Sequence, residues 1–128
     1  MITLDDFYMG RDVTYASELT DELRANAVVT VARANALLAA FGQDRKVNSG
    51  WRPAAVNAAT PGAAPFSQHM LCRAVDLSDP EGDLDNFLFS CTQNLLDLVL
   101  WMEHPASTKG WCHVQTVPPK SGNLVFYP

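Results

Sequence analysis

Ser67-Gln68-His69-Met70-Leu71-Cys72-Arg73-Ala74-Val75-Asp76 is the stretch around which the rest of the chain is organised. It sets a histidine and an aspartate seven residues apart, with Ser67 two before the histidine and the small Ala74 two before the aspartate. Ala74-Val75-Asp76-Leu77 alternates small or apolar with polar, the period of a β-strand. That strand is expected to carry Asp76 at its C-terminal end, with Ala74 on the same face. His69 is expected on the turn just before it. A second strand-like run, Gly110-Trp111-Cys112-His113-Val114-Gln115, offers His113 as a third polar group. Two imidazoles and one carboxylate form a three-ligand zinc set. Three protein ligands leave the fourth tetrahedral position to water, as in catalytic zinc. One zinc ion per chain, held by His69, Asp76 and His113, is the expectation.

A histidine or aspartate near a strand end is ordinarily just a satisfied polar group. Three features favour a site. The chain has three histidines, and two of them fall in strand-like runs bounded by turn residues. Asp76 interrupts an otherwise apolar strand. The approach to His69 is rich in Gly, Pro, Ala and Ser, as in a loop-built pocket.

The pattern S-x-H-x-x-G-x-A-x-D, followed downstream by W-x-H, resembles the zinc D-Ala-D-Ala carboxypeptidases and L-alanyl-D-glutamate endopeptidases. Ser67, His69, Ala74, Asp76, Trp111 and His113 match it. Upstream, Ser49-Gly50-Trp51-Arg52 resembles the S-G-[YFW]-R segment of the same family. The likeness runs from about Lys46 to the end of the chain. It implies a Hedgehog/DD-peptidase-like α+β fold, with a small antiparallel sheet packed against helices, and a peptidoglycan peptide as substrate. One position departs: Cys72 stands where the family has Gly, a residue that commonly marks positive φ.

Length and composition fit that class. A chain of 128 residues suits one domain, here a mostly helical part over 1–45 and a motif-bearing core over 46–128. It is long enough to bury a core without staples. The net charge of −5 argues against a nucleic-acid surface, which needs a basic stripe. No run is long and apolar enough for a transmembrane helix. Acids at Asp5 and Asp6 stand where a signal peptide needs positive charge. The expectation is a chain made in the cytoplasm without a signal peptide, a monomer that inserts into no membrane. Three cysteines without a CxxC suggest buried free thiols.

In chain order, Thr3 and Asp6 start a short helix that Gly10 stops, and Arg11 to Leu19 reads as a loop. Thr20 opens the longest helix, whose face is Leu23, Ala27, Val31, Ala34, Leu38 and Phe41, and Gly42 ends it. Lys46 to Trp51 reads as a strand and Ala54 to Ala58 as a helical turn. Thr60 to Pro65 is a loop, either a wall of the cleft or a plain connector. Ser78 to Asp83 reads as a solvated turn, and Asp83 to about Leu96 as one helix burying Leu84, Phe87, Leu88, Cys91 and Leu95. Leu98 to Glu103 and Trp111 to Thr116 are expected to pair antiparallel, bringing Glu103 towards His113. A last strand covers Asn123 to Phe126.

The chemistry still needs a general base. In many relatives the acid lies three before the last histidine, but that position is Gly110 here. In Hedgehog-like relatives it ends the preceding strand, which Glu103 resembles. Arg52 reads either as a solvated cation or, as the resemblance implies, as a carboxylate or oxyanion clamp. Ser67 is expected to order the His69 turn by hydrogen bonding, with Ser49 and Trp111 as supporting or substrate-binding groups. His104 reads as a surface residue. The leading expectation is a zinc peptidase of peptidoglycan stem peptides, by analogy a phage or prophage endolysin reaching the wall after release by a holin. The alternative is a catalytically inactive module of the same fold, a phage structural or binding protein stabilised by zinc.

Overall fold

The computed structural model describes residues 1–128 and shows an α+β chain of six α-helices and a five-stranded sheet. Helix α1 (Leu4–Tyr8) starts on a capping box, with Thr3 accepting from Asp6 N–H and the Asp6 carboxylate accepting from Thr3 N–H. Helix α2 (Arg11–Thr14) follows within the segment expected to be a loop. Its four residues are too few to display a helical period, so the sequence gives no sign of it.

Helix α3 (Asp21–Phe41) runs from the Thr20 cap to left-handed Gly42, as its cap residues predict. Its buried face is Ala27, Thr30, Val31, Ala34, Leu37 and Leu38, with Leu23 and Phe41 packed at the margin. The sheet is ordered β1 (Val47–Ser49), β2 (Ala74–Asp79), β4 (Gly110–Gln115), β3 (Trp101–Glu103), β5 (Val125–Phe126). Strands β1 to β4 pair antiparallel, whereas β5 lies parallel to β3. The chain crosses from β4 to that far edge through Pro118-Pro119-Lys120. One face of the sheet presents Val75, Leu77, Met102, Cys112 and Val114 to a core cluster of 20 buried residues. Each fully buried leucine in such a cluster contributes about 1.5–3 kcal/mol relative to exposure. No helix is long and apolar enough to cross a membrane.

Further local expectations are corrected. Asp76 is third in a six-residue strand, not at its end, because the alternation continues through buried Leu77 and Asp79. Asp79 is not solvated: it is fully buried and accepts from Leu84 N–H and Asp85 N–H at 3.1 and 2.9 Å. It thereby satisfies the free amides at the start of α5 (Asp83–Phe89).

The expected helix to Leu96 is two, α5 and α6 (Gln93–Leu98). Ser90 closes the first by donating its hydroxyl and its amide to Asn86 C=O at 2.6 and 2.9 Å, and Cys91 is exposed. Leu98 ends α6, and Leu100 N–H reaches back to Leu95 C=O at 2.9 Å across left-handed Val99. That closure shortens the strand expected from Leu98.

Helix α4 (Ala54–Ala59) lies between β1 and the Thr60–Pro65 loop. Helix α1 is tied to the β1 exit by a close backbone approach. Trp51 N–H donates to Phe7 C=O at 3.1 Å, and a Cβ on Gly50 would stand 2.0 Å from that carbonyl oxygen. Only glycine admits the contact. Buried Trp51 then packs edge-on against Tyr8 at 6.3 Å.

Candidate metal centre

Register assembles the polar face of the sheet. Asp76 on β2 lies opposite His113 on β4 and opposite Ser49 on β1, and cross-strand partners share a face. The β3–β4 pairing sets Trp101 against Gln115 and Met102 against Val114. One step further along, Glu103 Oε1 lies 3.9 Å from His113 Nε2. The antiparallel pairing expected from the sequence is therefore what brings Glu103 to His113.

His69 arrives on a 3-10 turn, Gln68–Leu71, capped by Ser67, whose Oγ accepts from His69 N–H at 3.2 Å. The turn ends at Cys72 in the left-handed conformation, φ 56° and ψ 27°. The position thus has the positive φ that a glycine there would suggest, and a cysteine holds it. Thr30 Oγ1 donates to Cys72 C=O at 2.7 Å, and the thiol is fully buried. These contacts offset a left-handed penalty of about 1–2 kcal/mol. Burial pushes the Cys72 thiol up to about 12, an inert group. Cys112 pairs with Leu77 on the opposite face from His113, as its strand position predicts.

The imidazole tautomers follow from their outer partners. His69 Nδ1 lies 2.8 Å from Gly50 C=O. A carbonyl only accepts, so Nδ1 carries the proton and Nε2 presents a lone pair. Gln115 NH₂ donates to Val117 C=O at 2.9 Å, which turns Gln115 Oε1 towards His113 Nε2 at 3.0 Å. His113 Nε2 is then the donor, and Nδ1 presents its lone pair. Both lone pairs face one oxygen: Asp76 Oδ1 is 2.8 Å from His113 Nδ1 and 3.3 Å from His69 Nε2. One ligand atom from each of the three side chains lies within 4.8 Å of the others.

Three acceptors converging on one point call for a cation, and two imidazoles with a carboxylate are a zinc donor set. Without a metal, a proton on His113 serves that purpose. Burial opposes it, but the Asp76 carboxylate outweighs burial and raises the imidazole above its ordinary value. Burial also works to raise Asp76, yet hydrogen bonds from His113 and His69 hold it well below the usual carboxylate range. His69 is lowered, chiefly by burial.

The triad opens into a cleft of about 780 Å³. Ser49, Arg52, Ser67, Glu103 and Trp111 line it, so every candidate site residue lies at one cleft. The Thr60–Ala64 segment also lines it, which makes that loop a wall rather than a plain connector. Arg52 is 9% exposed and donates from Nη2 to Ser67 Oγ at 3.1 Å. Its backbone N–H donates to His69 C=O at 3.1 Å, binding the β1 exit to the His69 turn. Burial lowers the Arg52 guanidinium from its usual value and raises the Glu103 carboxyl above its own. His104 stacks on Tyr127 at 4.6 Å and accepts from Ala106 N–H through Nδ1, outside the cleft lining.

A family model described as Peptidase M15 matches residues 9–114. The chain belongs to the peptidase M15 family. No curated protein and no solved structure matches it. M15 membership makes the chain a peptidase-family protein with a peptide as substrate, and the M15 peptidases are zinc-dependent, in keeping with the donor set. The match begins well before Lys46, so the M15 unit takes in α2 and α3 as well as the motif-bearing strands.

Sequence reasoning missed three participants. Gln115 was legible in principle, because residues two apart on a strand share a face and His113 is such a neighbour. The Gly50 carbonyl carried no signal, since any residue type supplies that group. Arg11, which also lines the cleft, carried none either, lying far from the motifs in sequence.

Proposed function

We propose that this M15 chain is a zinc metallopeptidase that hydrolyses peptide bonds in the stem peptides of peptidoglycan. In this reading residues 1–128 act as one monomeric peptidase domain. The supporting observation is the convergence of His69 Nε2, Asp76 Oδ1 and His113 Nδ1 at the floor of a polar cleft that also holds Glu103 and Arg52.

His69, Asp76 and His113 would hold the metal. When bound, zinc supplies Lewis acidity, polarising a carbonyl and making water acidic enough to attack at neutral pH. Glu103 is the proton carrier. It takes a proton from the attacking water and delivers it to the departing nitrogen. The water oxygen bonds to the acyl carbon, the C–N bond breaks, and the products are a carboxylate and an amine. Burial lifts the Glu103 carboxyl towards the pH at which such an exchange is efficient. Arg52 grips a substrate carboxylate with donors that no protein acid engages, while Ser67 steadies it. Ser49 and Trp111 flank the bound peptide. The setting we favour is a phage or prophage endolysin released to the wall by a holin, which rests on the family resemblance.

Elemental analysis of protein purified without chelator should find one zinc per chain. The same protein should release new termini from purified muropeptides, with mass spectrometry naming the bond cut. Zinc-loaded protein that leaves every muropeptide intact would end the peptidoglycan reading.

A further inference from the structure

Among the residues lining the cleft, only Arg11 comes from the segment before β1. Left-handed Gly10 turns the chain out of α1 and sets Arg11 as the first residue of α2. From there Arg11 Nη1 donates to Trp51 C=O at 2.7 Å, the carbonyl immediately before Arg52. Two guanidinium groups therefore reach one cleft. Neither has a carboxylate within 4.0 Å: the ion pairs of the chain are Met1–Asp44, Arg45–Asp83 and those of the two site histidines. Arg52 is nine-tenths buried, and its Nε donor has no partner. Two like charges drawn out of water into the same cleft repel each other, and an anion seated with them relieves both charges. The forked geometry of guanidinium matches a carboxylate. Asp76 and Glu103 in the same cleft disfavour a more highly charged anion such as a phosphate.

We infer that Arg11 and Arg52 together form a subsite for a free carboxylate of the peptide substrate, and that Arg11 sets a preference for peptides carrying that carboxylate beside the bond to be cut. The inference rests on the peptidase reading above for the identity of its ligand. It places a specificity-determining residue in the N-terminal helices, apart from the motifs that supply the metal ligands.

The test is binding to the zinc-loaded full chain, followed by NMR shift titration. The probes are N-acetyl-alanine, in both enantiomers, and the corresponding carboxamides. Wild type should bind one acid more tightly than its amide by on the order of tenfold, the scale of a charge-assisted hydrogen bond. In Arg11→Gln that ratio should fall to roughly threefold, the part that Arg52 still holds. In Arg11→Lys it should fall part of the way, because an ammonium keeps the charge and loses the fork. Arg11→Lys also keeps a donor for Trp51 C=O, so it decides the matter if Arg11→Gln does not fold. A wild type that does not distinguish acid from amide, or a ratio that survives in the folded Arg11 variants, overturns the subsite. Muropeptide cleavage is measured separately. Acid preference without cleavage would sink the peptidoglycan reading and leave the subsite standing, and cleavage without acid preference would do the reverse.

Discussion

Gln115 Oε1 lies 3.0 Å from His113 Nε2, and the Gln115 amide is itself fixed by donating to Val117 C=O at 2.9 Å. A neutral side chain two residues from His113 thus sets which imidazole nitrogen faces Asp76. Gln115→Leu keeps the bulk and removes the acceptor. The expected result is a roughly 10- to 100-fold loss of zinc affinity, the usual effect of deleting an outer partner of a metal-binding histidine. Gln115→Glu, which still accepts, should retain most of it. Competition with a chelating indicator measures both, and equal affinity in Gln115→Leu and wild type would discard this role.

Glu103→Gln keeps the shape and loses the proton acceptor. Its zinc content should match wild type, while kcat on muropeptides should fall on the order of a hundredfold or more. Near-normal turnover would transfer the proton-carrying role to another group.

Gly50→Ala would place a Cβ 2.0 Å from Phe7 C=O, a backbone atom that cannot swing aside. The expected destabilisation is roughly 1–3 kcal/mol or more, the scale of overpacking. Because Gly50 C=O also accepts from His69 Nδ1 at 2.8 Å, zinc affinity should fall together with the melting temperature. A variant as stable as wild type would show that α1 can move off the β1 exit without loss.

Metal-free stability should peak around the ordinary imidazole value of about 6.5, because His69, lowered chiefly by burial, loses its contribution as pH falls below that value. Asp76 is depressed in the folded state despite its burial, through hydrogen bonds from His113 and His69. Its contribution is present above its unfolded value of about 3.9 and is lost as pH falls towards the folded one. His113 is raised, burial being outweighed by Asp76. Its contribution is complete below the unfolded value of about 6.5 and is lost as pH rises through the folded one. Zinc needs His113 deprotonated, so the stabilisation it adds should grow across the range where the proton's contribution fades. Melting curves of chelator-treated and zinc-loaded protein from about pH 5 to 9 test this. A gap between the two curves that is independent of pH would contradict it.

The sequence by itself determined the elements whose signals are local. The Thr20 cap, the apolar face through Leu38 and the Gly42 stop define α3, because each acts within a few residues of itself. The alternation around Asp76 and His113 set both on strands, and the ordered S-x-H, A-x-D and W-x-H motifs named the family that the match over residues 9–114 bears out. Glycine expected at position 72 pointed to a positive φ, which Cys72 adopts at 56°.

The tertiary structure alone decided what depends on groups distant in the chain. Which nitrogen each histidine offers rests on Gly50 C=O and on the Gln115–Val117 bond, and carbonyl acceptors leave no mark in a side-chain pattern. The break falls at Ser90, whose hydroxyl returns to Asn86 C=O, and the apolar spacing through Cys91 and Leu95 does not reveal it. The parallel β5 and the reach of Arg11 to the cleft depend on how the chain crosses the sheet and where α1 docks on Gly50. Periodicity reports which face of an element is buried; only packing determines what that face meets.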